Sequence, residues 1–189
     1  THNIVIDTDS GFLYRTGGSD NGLRIYDLNS SPTNPPYVGS WSNKYVHDAQ
    51  VVTYPQGSPY EGRQVAFCYA GFNGGWSEPG LTILDVTNKS AIFTIGEMQH
   101  SNNNYSHQGW LTEDYQYFYL NDELDEQNTG SLTTTRILDV SDIANPVQVG
   151  TCTSGSTSVD HNLYIKGDTM YQANYRSGLR IFDISDRLN

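Results

Sequence analysis

The stretch Gly22-Leu23-Arg24-Ile25-Tyr26-Asp27 occurs four times, in slightly altered form, along this chain of 189 residues. The other copies are Gly80-Leu81-Thr82-Ile83-Leu84-Asp85, Thr134-Thr135-Arg136-Ile137-Leu138-Asp139 and Gly178-Leu179-Arg180-Ile181-Phe182-Asp183. A histidine followed by an amide or an acid precedes each copy, at His2, His47, His107 and His161. A unit that repeats every 45 residues or somewhat more, up to about 60, is typical of propeller blades.

Each repeat alternates short runs of β-branched and aromatic residues with turns rich in Gly, Pro, Asn and Asp. Such runs indicate strands, and no segment shows the apolar i, i+3, i+4, i+7 spacing of a helix. The sequence therefore predicts an all-β propeller with almost no helix and with blades at about residues 1–45, 46–104, 105–157 and 158–189. The last blade has residues for only three strands. We expect the four blades to belong to a propeller of about six or seven, the alternative being a four-bladed ring with one three-stranded blade.

The composition argues against several classes of partner. A net charge of −11 disfavours nucleic acid and anionic membrane surfaces, both of which require a basic surface. No apolar run reaches the length of about 18 residues that a transmembrane helix needs. Scarce cysteine and lysine beside abundant Asn, Ser, Thr, Tyr and Gly indicate an extracellular or cell-surface protein. Cys68 and Cys152 have no CxxC spacing, so we expect core thiols and not a disulfide.

The four repeated histidines are the candidate metal ligands. If the repeats are blades, rotation brings these side chains to one rim, and imidazole is a good ligand for Zn, Cu and Fe. Asp48 and Asp160 would then hold ring nitrogens by hydrogen bonds, and protonation near pH 6 would release the metal. The alternative is that each histidine caps the backbone of a neighbouring blade and binds no metal. His100 is out of register with the repeat, and we expect it to be exposed.

The same rim should carry further ligand contacts, at Trp76, Trp110, Tyr175 and Arg176, although the tryptophans also fit packing between blades. It also carries the acidic loop, residues 122–126, with the carboxylates Asp122, Glu123, Asp125 and Glu126. Four carboxylates so close together repel one another unless a cation or an arginine compensates them. A bound Ca²⁺ is one interpretation and a solvated loop is the other. The repeated aspartates Asp27, Asp85, Asp139 and Asp183 are expected to hydrogen-bond the turns that follow them.

Several of these motifs resemble known families. The Gly-Leu-Arg-Ile-(Tyr/Phe)-Asp units followed by Asn-Pro resemble the LVIVD repeat. Residues 46–50, 106–114, 122–126 and 159–162 together resemble the choice-of-anchor B surface proteins, which implies an extracellular propeller with more than four blades. His47-Asp48, Asp160-His161 and Asp183-Ile184-Ser185-Asp186 are more distantly similar to selenium-binding-protein-like methanethiol oxidases, propellers whose histidines hold copper. The chain lacks the adjacent His-His pairs of that family.

Two functions follow from these observations. The first is a binding scaffold at the cell surface, with a protein or surface partner, the rest of its own propeller or another subunit as the contact. The alternative is a metal-dependent oxidoreductase or hydrolase that uses the histidines. An open coordination position beside an apolar pocket would favour the enzyme, whereas a saturated histidine ring would favour the scaffold.

Overall fold

The computed structural model describes residues 1–18, 22–70, 80–100 and 104–188, and these form four antiparallel sheets of consecutive strands. The first sheet contains β1 (Asn3–Asp7), β2 (Phe12–Thr16), β3 (Leu23–Asp27) and β4 (Tyr37–Trp41). The second contains β5 (Asp48–Thr53), β6 (Gln64–Ala70), β7 (Gly80–Asp85) and β8 (Phe93–Met98). The third contains β9 (Ser106–Leu111), β10 (Tyr117–Asp122), β11 (Thr134–Asp139) and β12 (Val147–Thr153). The fourth contains β13 (Asp160–Lys166), β14 (Thr169–Asn174) and β15 (Gly178–Asp183).

The sheets are the four blades of a β-propeller, and the prediction of an all-β propeller with a three-stranded last blade is confirmed. Each sheet lies within one of the four residue ranges assigned to the blades from the sequence. Helix is limited, in the part of the chain that the structure describes, to the five residues of α1 (Asp125–Thr129). Within the same ranges, no helix is long and apolar enough to cross a membrane. Cys68 is buried and Cys152 is half-buried, and both are free thiols, as expected.

The aspartate that ends the third strand of each blade fixes the turn behind it. Its Oδ1 accepts a hydrogen bond from the backbone N–H two residues later, an arrangement that replaces a backbone turn contact. The acceptor and donor residues are Asp27 and Asn29, Asp85 and Thr87, Asp139 and Ser141, and Asp183 and Ser185, each at 2.9 Å. The aspartate that recurs in all four repeats therefore has a structural role.

The glycine that opens the repeat lets the third strand approach the fourth. Gly22 has a φ of 80°, in the left-handed region that favours glycine. A Cβ atom at this residue would lie 1.7 Å from the carbonyl oxygen of Trp41. Any other residue would therefore force the backbone apart where β3 begins.

Apolar side chains between neighbouring blades make the core. Between the second and third blades, the rings of Phe67 and Phe118 stack with their centroids 5.2 Å apart. The innermost strands lie side by side, β1 against β5, β5 against β9 and β9 against β13. Side chains also bond one blade to the next: Gln50 Oε1 accepts from Leu111 N at 2.7 Å, and Gln108 Oε1 accepts from Leu163 N at 2.7 Å. The blades are therefore held in a fixed rotation about one axis.

The first and last blades each have one apolar face that is exposed. On the first blade, Ile4 and Ile6 are 53% and 48% exposed. On the last blade, Leu179 and Ile181 are 64% and 62% exposed, and they lie opposite Ala173 and Tyr171 of β14. These faces have the composition of the buried faces between blades.

We predict that Tyr69→Phe destabilises the protein by about 1–3 kcal/mol, the cost of leaving a buried acceptor without a partner. The hydroxyl of Tyr69 is fully buried and donates to the carbonyl oxygen of Gly109 in the next blade at 2.6 Å. Tyr171→Phe, in a partly exposed ring, is the matched control and should change stability by less than about 0.5 kcal/mol. Urea unfolding measures both. Equal effects would show that this contact between blades does not stabilise the fold.

Candidate metal centre

The innermost strands bring the four repeated histidines together. His2 and His47 lie directly before β1 and β5, whereas His107 and His161 are the second residues of β9 and β13. Rings of consecutive blades are neighbours, with centroid distances of 3.9 Å from His2 to His47, 4.5 Å from His47 to His107 and 4.0 Å from His107 to His161. We refer to these four residues as the histidine cluster.

Two groups of three residues in this region have potential ligand atoms that all lie within 4.8 Å of one another. The first contains His2, His47 and His107, and the second contains His107, Glu123 and His161. The Nε2 atoms of His107 and His161 lie 3.6 and 3.7 Å from the two carboxylate oxygens of Glu123. Both groups therefore have the spacing of ligands that share an ion.

Two tyrosines set the orientation of the His47 ring. Its Nδ1 lies 2.8 Å from the hydroxyl of Tyr105 and 3.1 Å from that of Tyr45. Its Nε2 is buried and has no hydrogen-bond partner. Hydrogen bonds of this kind at one ring nitrogen are what orient a histidine whose other nitrogen binds a metal.

Neither tyrosine is among the residues predicted from the sequence, although a signal is present. Each stands two residues before a histidine of the cluster, in Tyr45-Val46-His47 and Tyr105-Ser106-His107. In the fourth repeat Val159 takes this place before His161. The pattern therefore marks the two buried histidines and not the whole repeat.

Burial keeps the central imidazoles neutral. It lowers the pKa of His47 to about 3, and the charges of His2 and His161 act in the same direction. It lowers the pKa of His107 to about 2, helped by the other three histidines and opposed only weakly by the backbone of His161. Neutral imidazole is the form that can bind a metal, and burial favours this form at both rings.

Asp48 and Asp160 do not hold the histidine rings in the way the sequence analysis expected. Asp48 accepts hydrogen bonds from the side chain of Asn3 at 2.8 Å and from the N–H of Ala49 at 2.7 Å. Asp160 is fully buried, both its carboxylate oxygens lack hydrogen-bond partners, and burial and the charge of Glu126 raise its pKa. Neighbouring residues on a strand point to opposite sides, so an aspartate next to an axial histidine faces the blade interior.

The acidic loop is buried, which corrects the interpretation as a solvated loop. Asp122, Asp125 and Glu126 are all less than 5% exposed. Arg136 forms an ion pair with Asp125, and the backbone N–H groups of Asn104 and Tyr105 donate to Asp122, each at 2.7 Å.

Arginine, one of the two compensating groups that we considered, therefore balances part of the charge of this loop. Among the described residues, no three of these loop carboxylates lie close enough together to share an ion. His100 is also buried, not exposed as expected: its Nε2 lies 3.1 Å from Ser106 Oγ and 3.6 Å from Asp122 Oδ2. Because His100 lies outside the repeat, the sequence gives no pattern that would place it beside the acidic loop.

Of the other residues expected at the ligand-binding rim, some lie near the histidine cluster and one packs between blades. The Tyr175 hydroxyl donates to Glu123 Oε1 at 2.5 Å, and its ring centroid lies 5.3 Å from that of His161. Tyr175 and Arg176 line, with Glu123, a cavity of about 480 Å³. Trp110 instead packs against Tyr164 with centroids 4.8 Å apart, between the third and fourth blades. Trp76 lies outside the described residues.

We predict that the metal-free protein loses stability as the pH falls from about 6.5 to about 3. In this range His47 and His107 are protonated in the unfolded chain but stay neutral in the folded protein. The loss is up to about 1.4 kcal/mol per pH unit for each ring. The double variant His47→Gln/His107→Gln should show a shallower slope in urea unfolding between pH 7 and pH 5 with chelator present. Parallel slopes would contradict the neutral state of the two rings.

We also predict a pH effect at Glu126. Burial and the charge of Asp125 together raise the pKa of this carboxyl group to about 8. The folded state keeps the proton that the unfolded chain loses near pH 4.5, so stability falls as the pH rises from about 4.5 to about 8. Glu126→Gln removes this loss. Relative to the wild type, the free energy of unfolding of the variant should therefore increase between about pH 4.5 and about pH 8, as measured by urea unfolding. Glu61→Gln, at an exposed residue, is the control and should show no such gain.

Comparisons with known proteins agree with the architecture. A model of the LVIVD repeat matches residues 75–99, which include β7 and β8 of the second blade. No curated protein matches the chain in sequence.

Solved structures share the fold. A proposed 6-phosphogluconolactonase from Bacteroides uniformis is 14% identical with a TM-score of 0.71, over 98% of this chain and 51% of that one. A functionally unknown protein from Desulfotomaculum acetoxidans is 12% identical with a TM-score of 0.66, over 95% and 50%. A chain of a nidogen/laminin complex is 8% identical with a TM-score of 0.63, over 96% and 59%. The chain thus spans between half and three fifths of these structures and resembles them in fold alone.

Proposed function

We propose that this chain is an extracellular or cell-surface β-propeller scaffold that binds a transition-metal ion at the histidine cluster. The observation that carries the proposal is the meeting of four repeat-related imidazoles on one rim, with His47 and His107 buried and neutral. Nitrogen-rich sites with one carboxylate suit Zn²⁺, Cu²⁺ and Fe²⁺, which are the metals we propose.

At His47 the geometry supports ligation more than capping. A capping histidine would bond the backbone of the next blade, yet His47 directs one nitrogen to two tyrosines and leaves the other unbonded. Buried polar atoms usually have partners, and an unpartnered one costs about 1–3 kcal/mol. A metal ion would supply the missing partner.

The partner proposed for the scaffold is further propeller blades, from the same polypeptide or from another subunit. The observation that supports this is the exposure of apolar side chains on the outer faces of the first and last blades, at Ile4 and Ile6 and at Leu179 and Ile181. Scarce cysteine and lysine beside abundant Asn, Ser, Thr, Tyr and Gly, together with the LVIVD match, support the proposed extracellular or cell-surface location.

A metal-dependent oxidoreductase is the second candidate. A pocket of about 330 Å³ lies directly beside His161 and is bordered by Ala173, Tyr175 and Leu179. A substrate in this pocket would lie next to the ligand group of His107, Glu123 and His161. The measurement that separates this candidate from the scaffold is oxygen consumption by the copper-loaded protein in the presence of small thiols and alcohols.

We predict that the metal-free protein binds Zn²⁺ and that His107→Gln weakens this binding by more than about 100-fold. His107 belongs to both ligand groups, and a loss above 100-fold exceeds the effect of removing a residue that only supports a ligand. Competition with a chromophoric chelator at pH 7 measures the affinity.

His100→Gln is the matched control for this experiment, because it removes a buried histidine outside the cluster. It should leave the Zn²⁺ affinity within about threefold, the ordinary context scatter of such effects. No Zn²⁺ binding by the wild type, or equal losses in the two variants, would overturn the proposal.

A further inference from the structure

We infer that the histidine cluster binds two metal ions at once, with His107 between them and one of its ring nitrogens on each ion. This inference rests on the proposed function, since it concerns the same residues. It adds the number of ions, the ligands of each and the residue that connects them.

The first observation is that the four histidines do not form one ligand group. Among the described residues they separate into two groups of three, and His107 is the one residue that the groups share. The centroids of His2 and His107 are 6.2 Å apart, and neither of these two groups contains both His2 and His161. We therefore assign the two groups to separate ions.

The second observation is the geometry around Glu123. Two ligands on one tetrahedral ion are about 3.4 Å apart when their bonds are 2.0–2.1 Å long. The Nε2 atoms of His107 and His161 lie 3.6 and 3.7 Å from the oxygens of Glu123. Tyr175 donates to Oε1 of the same carboxylate and holds it in place. One ion position is therefore made of two nitrogens and one carboxylate.

The third observation defines a position made of nitrogen alone. His47 Nε2 is buried without a partner, and the ring of His2 lies 3.9 Å away between centroids. With Nε2 of His107 directed at Glu123, its Nδ1 remains, and this atom is also buried without a well-formed hydrogen bond. We assign the second position to His2, His47 and this Nδ1 atom of His107.

The proton balance of this arrangement is simple. A neutral imidazole carries one N–H, so the His107 ring must release that proton to solvent when its second nitrogen binds an ion. The resulting imidazolate places one negative charge between the two dications, and the Glu123 carboxylate places another beside one of them. Neither ion changes its oxidation state, and no other reactant is needed.

The number of ions is tested by titrating the metal-free chain with Zn²⁺ in a calorimeter and counting bound zinc by mass spectrometry after gel filtration. We expect two zinc ions per chain. One ion per chain would overturn this inference and leave the proposed function standing, whereas no bound zinc would overturn both.

Glu123→Gln tests the assignment of the ligands, since its side chain is partly exposed and the change keeps its shape. We expect this variant to bind one zinc ion, with the affinity of the nitrogen position changed less than about tenfold. Retention of two ions would contradict the position assigned to Glu123. Glu61→Gln is the control and should bind two ions.

The connecting role of His107 is tested with Cu²⁺ and electron paramagnetic resonance. Two Cu²⁺ ions on one imidazolate couple magnetically, so the signal should rise with the first equivalent and fall with the second. Glu123→Gln should show the full signal of one isolated ion. Two uncoupled signals in the wild type would show that His107 does not connect the ions.

Discussion

The packing of each blade face against the next is the constraint on which the rest of this structure depends. A single blade cannot bury its apolar side chains alone, and Phe67 of one blade finds its partner in Phe118 of the next. This packing places β1, β5, β9 and β13 side by side around one axis. Because the blades are related by rotation, the residues at the starts of these strands face the same region. The histidine cluster is therefore a consequence of core packing.

Burial gives the cluster its chemistry. Water is kept from His47 and His107, and this disfavours the imidazolium form. The same burial leaves His47 Nε2 and His107 Nδ1 without partners, at a cost in stability that a metal ion would offset. Tyr45 and Tyr105 hold one end of the His47 ring while the other end faces the axis. The region combines neutral nitrogen donors with a fixed orientation, the two properties that a metal site needs.

The acidic loop shows a different solution to buried polarity. There Arg136 pairs with Asp125, and backbone N–H groups satisfy Asp122, so protein groups supply much of the compensation. Glu123 differs from its neighbours because its carboxylate faces His107 and His161. It is the acidic side chain of this loop that belongs to a potential ligand group of the histidine cluster. The net charge of −11 adds a field that attracts cations to the whole molecule.

The sequence by itself determined the fold, the strands and the residues of the cluster. Hydrophobic alternation and turn residues are local properties, and the repeat transfers one blade's assignment to the others, so even the hydrogen bonds of Asp27 and its counterparts could be predicted. Only the tertiary structure decided which way neighbours point and what covers them. It gave the carboxylates of Asp48 and Asp160 no hydrogen bond to the rings, buried His100 and the acidic loop, and brought Tyr45 and Tyr105 to His47. These facts depend on contacts between residues of different blades, such as Tyr105 and His47, which no local pattern encodes.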